Sequence, residues 1–329
     1  MKLCTLSNGT PDGQLAVLSA DLRHCAIADG IAPTLQAALE HWTRVEPALR
    51  QLAQDLDAGR CANARPFDPA QALAPLPRAW QWLDGSAFQS HGDLMSTVFG
   101  TEPHAYDERP LMYQGLSDRF LPGHADVPVP SEQDGIDFEG EFGVLTDAVP
   151  MGASKAQAAT HIRLVVLIND WSLRRIAPVE MKTGFGWIQA KPACSVAPIA
   201  VTPDELGDAW QHGRVRMRLE VDWNGRRFGA AHGGAMAFGF DDLVAHAAYS
   251  RDLVPGTLVG SGTVSNPDYR EVGSSCIAER RAIEMLDEGA ARTPYMAFGD
   301  HVRMAARFDD GRDGPFGAID QRVVRAGGA

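Results

Sequence analysis

The stretch Ile136-Asp137-Phe138-Glu139-Gly140-Glu141-Phe142-Gly143-Val144 places an acid at every second position among apolar or small residues. A period of two predicts a strand on which Asp137, Glu139 and Glu141 share one face while Phe138, Phe142 and Val144 share the other. Carboxylates crowded in this way repel. Either a solvated outer face or a hard divalent cation with oxygen ligands relieves them. Other polar residues at the ends of apolar runs extend the set. Asp84 and His91 follow the apolar Ala79-Trp80-Gln81-Trp82-Leu83, where both could also be plain turn and surface residues. Asn169-Asp170-Trp171-Ser172 closes the run Leu164-Val165-Val166-Leu167-Ile168, a place where active-site groups emerge and where simple turns also form. Arg174 comes directly after, and Lys191 ends a segment of small and aromatic residues. Together these give Asp84, Glu139, Glu141 and Asp170 for a metal, His91 for proton transfer, and Lys191 with Arg174 for anionic substrate groups. An all-carboxylate set favours Mg²⁺, Ca²⁺ or Mn²⁺ over zinc or copper.

Positioning such residues takes a scaffold, and its pieces are written in the spacing. Residues 1 to about 32 carry short apolar runs broken by Gly9, Pro11, Gly13 and Gly30, which predicts two or three small strands. Helical spacing follows at 34–59, in two stripes with Pro47 between them as the expected start of the second helix. Pro66, Pro69, Pro75 and Pro77 suit an extended connector, so the domain boundary is expected at about 78, with a small domain over 1–78 and a catalytic one over 79–325. Ser154 reads as a helix cap before the buried strand 164–168. Val215 to Trp223 alternates apolar and charged residues and runs into Asn224-Gly225, the turn of a hairpin. Asp241 opens a helix to about Ser250, and strands are expected around Cys276–Met285 and His301–Phe308.

Composition narrows the classes of function. The chain has 329 residues, 45% hydrophobic and 22% charged, which is ordinary for a folded globular protein. Its 42 acidic and 30 basic residues give a net charge of −12 without the basic stripe that a phosphate backbone requires, so nucleic acid is not an expected partner. No run matches a bilayer-spanning helix, and the segment Met1–Leu6 does not resemble a signal peptide, so no membrane partner is expected and the expected location is the cytoplasm. The five cysteines are scattered with no Cys-x-x-Cys pair and read as reduced thiols.

In order along residues 75–323, these motifs resemble the fumarylacetoacetate hydrolase family. Asp84 and His91 resemble its metal-ligand aspartate and catalytic histidine, and Phe138-Glu139-Gly140-Glu141 its paired glutamate ligands. Ile168-Asn169-Asp170-Trp171-Ser172-Leu173-Arg174 is similar to the Asn-Asp-x-Ser-x-Arg signature. There the aspartate binds metal and the arginine binds substrate. Lys191 stands where the family keeps a catalytic lysine, Tyr113 resembles a substrate-contacting tyrosine, and Gly262-Thr263-Val264-Ser265 resembles the Gly-Thr-x-Ser loop that places Thr263 at the substrate. The resemblance implies an α+β, mostly β fold: a small N-terminal β domain followed by a larger mixed β-roll, usually dimeric. The chain departs from the family at Ala177, where a glutamine is expected, and at Glu279, the candidate for orienting His91, which arrives two residues late. Ser195 replaces a threonine.

The resemblance implies metal-dependent hydrolysis of a carbon–carbon bond in a diketo acid such as fumarylacetoacetate or an acylpyruvate, as in the breakdown of tyrosine and other aromatic compounds. His91 would activate water, a divalent cation, Mg²⁺ first, would chelate substrate oxygens, and Lys191 and Arg174 would add fixed positive charge. A decarboxylase or isomerase of a 2-oxo acid competes within the same resemblance. A structural calcium site or a solvated surface is the non-enzymatic alternative.

Overall fold

An uninterrupted apolar run must be covered on both faces, and Leu164–Ile168 is. In the computed structural model, which describes residues 1–99 and 109–327, it belongs to the strand Ile162–Asn169 inside a 12-stranded sheet. Gly140–Thr146 pairs with it antiparallel, Thr257–Gly260 pairs antiparallel with Gly140–Thr146, and Gln81–Gly85 runs parallel to Thr257–Gly260. The register sets Gly140 opposite Asn169, Gly143 opposite Gly260, and Gly260 opposite Asp84. The start of one strand and the ends of three therefore meet at one end of the sheet. That end carries Asp84, Glu141 and Asp170.

Alternation along the central strand sorts its side chains between two cores. Leu164, Val166 and Ile168 pack in one cluster with Leu3, Leu15, Leu35, Leu39, Trp42 and Leu49 of the N-terminal segment. Val165 and Leu167 join Phe142, Leu219, Met304 and Phe316 in the other, whose second wall is a five-stranded sheet. The N-terminal strands Lys2–Leu6, Gln14–Leu18 and His24–Ile27 form a meander that joins the large sheet through the pairs Lys2–Val201 and Leu3–Ala200. In the five-stranded sheet Arg218–Trp223 turns into Arg226–His232 at Asn224 and Gly225, whose φ values of 50° and 74° are those of a left-handed hairpin turn.

Three expectations are corrected. Residues 136–144 are not one strand: Ile136–Asp137 pairs with Ser172–Leu173, the chain breaks step at Phe138-Glu139, and Gly140–Thr146 joins the large sheet. No solvated face exists there, because every residue from Ile136 to Thr146 is buried. The strand expected at Cys276–Met285 is the helix Ile277–Glu288, as its Ala, Glu, Arg, Met and Leu content favours, and left-handed Gly289 ends it. Pro47 lies inside the helix Trp42–Asp57 rather than at its start; the break falls at His41. No helix among the described residues is long and apolar enough to cross a membrane.

Candidate active site

Asp84 is next to last in its strand, Glu141 is the second residue of its own, and Asp170 lies one residue past the central strand. Their carboxylate oxygens come within 4.8 Å of one another, and all three residues are buried. Asp84 Oδ1 accepts the Gly262 N–H at 3.1 Å, and Asp170 accepts the Tyr113 hydroxyl at 2.5 Å and the Cys194 thiol at 2.8 Å. Among the described residues no group donates a hydrogen bond to either oxygen of Glu141, whose carboxyl faces that of Asp84. Burial, then the neighbouring Asp84 and Asp170, pushes the Glu141 carboxyl well above its ordinary range; burial, then Asp170, does the same to Asp84. A buried orphan carboxylate costs several kcal/mol unless a cation meets it. This donor set of hard oxygens, short of positive charge, fits Mg²⁺, Mn²⁺ or Ca²⁺.

Glu139 is solved differently. Its carboxylate accepts from Lys191 Nζ at 2.7 Å, from Thr263 Oγ1 at 2.5 Å and from the Ser172 hydroxyl, and forms an ion pair with Arg174 Nη2 at 3.0 Å without hydrogen-bond geometry. Burial alone would raise this carboxyl, but Arg174 and Lys191 outweigh it and hold it below the usual range. Lys191 also reaches Asp170 at 2.7 Å, so its ammonium ties the two groups of carboxylates together. Glu180 fixes the backbone leading into that lysine, accepting the N–H groups of Ile188, Gln189 and Ala190 at 3.1, 2.8 and 3.1 Å.

His91 sits near the start of the helix Gln89–Phe99, and its Nδ1 lies 2.8 Å from Glu279 Oε2. Glu279 is fully buried and its other oxygen accepts from Ser265 at 3.1 Å. Its place in the first turn of Ile277–Glu288 explains how a glutamate two residues late still reaches the histidine. Asp137 anchors that helix start, accepting the Ile277 and Ala278 N–H groups at 2.7 and 2.9 Å. Asp137 thus leaves the face that period-two spacing assigns it, drawn away by the break at Phe138-Glu139.

One loop touches every part. Gly262 binds Asp84, Thr263 binds Glu139, and Ser265 binds both Glu279 and Ser90. Four residues span at most about 14 Å, so one short loop ties the histidine's partner to the partners of the carboxylates. The loop needs its glycines: Gly262 has φ 77° and a Cβ there would meet the Gly85 carbonyl at 2.3 Å, while a Cβ on Gly260 would strike Trp82 at 2.3 Å and Asp84 at 2.6 Å.

Of the sequence-derived candidates, then, Asp84, Glu141 and Asp170 converge, His91 meets Glu279, and Glu139 stands beside the three carboxylates but outside their group. Arg174, expected to face a substrate anion, is engaged by Asp137 at 2.8 Å and by Glu139. Thr263 likewise turns its hydroxyl to Glu139, and Tyr113 holds Asp170 while its ring meets Trp187 edge-on at 6.0 Å. Sequence reasoning did not single out Asn169 Oδ1, which accepts the Glu139 N–H at 2.9 Å, nor Ser172, Cys194, Ser265 and Glu180. Asn169 and Ser172 lie within the Asn-Asp-x-Ser-x-Arg signature and Ser265 within the Gly-Thr-x-Ser loop; Cys194 and Glu180 carry no local signal. An open groove of about 720 Å³ runs beside the His91 helix, lined by Ser90, Asp93, Thr97, Ala235 and Tyr269 among others.

Two family models match the chain: Fumarylacetoacetase N-terminal domain 2 over residues 1–78, and Fumarylacetoacetate (FAA) hydrolase C-terminal over residues 81–324. Among curated proteins, 2,4-didehydro-3-deoxy-L-rhamnonate hydrolase of Sphingomonas sp. (strain SKA58) is 27% identical over 181 residues, which are 52% of this chain and 61% of that protein. The match therefore spans less than two thirds of that relative. Among solved structures, the fumarylacetoacetate hydrolase of psychrophilic Exiguobacterium antarcticum superposes with a TM-score of 0.65 at 15% identity, covering 99% of each chain. Maleylpyruvate hydrolase from Sphingobium sp. SYK-6 gives 0.63 at 13% identity, over 99% of this chain and 100% of that one. At such identities the likeness is one of fold.

Proposed function

The chain belongs to the fumarylacetoacetate hydrolase family, and from that premise we propose that it is a metal-dependent hydrolase of a carbon–carbon bond in a diketo acid, such as fumarylacetoacetate or an acylpyruvate. The observation that carries the reading is the His91–Glu279 pair at 2.8 Å, set on the same loop as the buried carboxylates. Asp84, Glu141 and Asp170, with Glu139 beside them, would hold the divalent cation, Mg²⁺ first, with Mn²⁺ and Ca²⁺ sharing its chemistry. When bound it supplies Lewis-acid polarisation of the substrate's carbonyl oxygens.

The protein's own groups do the rest. Glu279 accepts the Nδ1 proton of His91, which leaves the lone pair on Nε2 to take a proton from water as it attacks the carbonyl carbon. Glu279 is buried and stabilises the imidazolium that results. Lys191 spends two of its three N–H bonds on Glu139 and Asp170, and the third is left for the oxygen on which negative charge develops. Arg174 acts through Glu139, holding that carboxylate ionised and in place. The same reading has a cytoplasmic homodimer acting in aromatic-compound breakdown, tyrosine degradation included.

A decarboxylation or tautomerisation of a 2-oxo acid would use the carboxylates and Lys191 but no attacking water. Turnover of the protein with Mg²⁺ or Mn²⁺ against a panel of diketo and 2-oxo acids, with product identification, separates the two. Two carboxylate or ketone fragments from an acylpyruvate are the expected result. Carbon dioxide from oxaloacetate, with the acylpyruvates untouched, would replace this reading by the lyase.

A further inference from the structure

Beside the all-oxygen cluster lies a second group of different chemical softness. A ring nitrogen of His91, Cys276 Sγ and a Glu279 carboxylate oxygen fall within 4.8 Å of one another. We propose that these three residues form a second metal site, selective for a borderline-soft divalent cation such as Zn²⁺, with its fourth position open to water. Tetrahedral zinc, with bonds of about 2.0–2.3 Å, holds neighbouring ligand atoms about 3.3–3.8 Å apart, so the observed group needs only small side-chain adjustments. Its nitrogen, sulfur and oxygen donors suit zinc, whereas Asp84, Glu141 and Asp170 suit Mg²⁺.

The backbone holds two of the ligands in advance. Cys276 is the N-cap of the helix Ile277–Glu288, its sulfur accepting the Glu279 N–H at 3.3 Å, and Glu279 stands in the first turn. His91 comes from a separate helix, and its side chain is 15% exposed, so the ion enters from that side. Binding through Nδ1 displaces the thiol proton to solvent, one per ion, moves the Nδ1 proton of His91 to Nε2, and releases a Glu279 oxygen from the hydrogen bond between them. Where the hydrolase reading holds, zinc is therefore an inhibitor at a site that Mg²⁺ does not contest. The binding itself does not rest on that reading.

The test uses the full-length protein in saturating Mg²⁺, titrated with Co²⁺ as a coloured substitute for zinc. A thiolate-to-cobalt charge-transfer band should appear, saturate at one equivalent and vanish on addition of Zn²⁺. Cys276→Ser should abolish the band while keeping the helix cap, since a serine oxygen accepts the same N–H. His91→Ala should weaken cobalt binding at least about tenfold. Cys194→Ser, which removes the other buried thiol near a carboxylate, should leave the band intact. A band that survives in Cys276→Ser, or none in the wild type, overturns the proposal. Turnover adds a separate reading: a Cys276-dependent band with Mg²⁺-supported turnover unaffected by zinc would uphold the site and remove His91 from the role of base.

Discussion

Glu139 and Glu141 are two positions apart, equally buried, and opposite in circumstance. Glu139 is surrounded by Lys191, Arg174, Ser172 and Thr263, and is held ionised. Glu141 faces Asp84 and Asp170, and among the described residues no group donates a hydrogen bond to either of its oxygens. The same side chain is thus a finished structural ion pair at one position and an incomplete one at the next. The incomplete one marks where a charge from outside the chain belongs. Residue type and burial do not distinguish them; only the partners delivered by distant segments do.

Breaking the finished side should cost most. Glu139→Gln leaves Lys191 and Arg174 buried with less countercharge, and losing one member of a buried ion pair costs about 3–5 kcal/mol, read as a lowered midpoint in denaturant unfolding. Breaking the unfinished side should have the opposite sign without metal. Glu141→Gln removes like-charge crowding, so the metal-free variant should unfold at a higher temperature than the metal-free wild type. Its Mg²⁺ affinity, measured by calorimetric titration, should fall more than about a hundredfold, beyond what outer-shell changes cost. Unchanged affinity would remove Glu141 from the site and with it the contrast.

The smallest effect tests whether pairing matters only when buried. Glu220 accepts from Arg227 and Arg307 near the surface, and although burial raises its carboxyl, these two hold it below the ordinary value. A carboxyl depressed in the folded state stabilises above its unfolded pKa of about 4.3, and that contribution is lost as pH falls toward the folded value. Glu220→Gln should therefore cost no more than about 1 kcal/mol at pH 7 and nothing in strong acid. A loss matching that of Glu139→Gln would show that burial is not what separates them.

The sequence carried the site in unequal parts. Leu164–Ile168 followed by Asn169-Asp170, and the Asn224-Gly225 turn, are local signals that the structure follows. The acids at 137, 139 and 141 were legible as a chemical group, but their common face was not real, because the break at Phe138-Glu139 depends on Ser172–Leu173 pairing with Ile136–Asp137. Glu279 was visible only as an offset candidate. Reading Cys276–Met285 as a strand hid that a helix start, anchored by Asp137, brings it to His91. Arg174 was legible as a cation of the signature, but its carboxylate neighbours Asp137 and Glu139 come from a separate segment that its own spacing does not indicate.

The central claim is that His91 delivers water to a carbonyl carbon, and oxygen labelling tests it most directly. An acylpyruvate or fumarylacetoacetate is incubated in H₂¹⁸O with Mg²⁺, and the products are weighed by mass spectrometry. One ¹⁸O should enter the newly formed carboxylate, and His91→Ala should slow its appearance by about a hundredfold to ten-thousandfold while Mg²⁺ affinity is unchanged. Products formed at wild-type rate in His91→Ala, or carbon dioxide and tautomers formed without ¹⁸O in a new carboxylate, would contradict it.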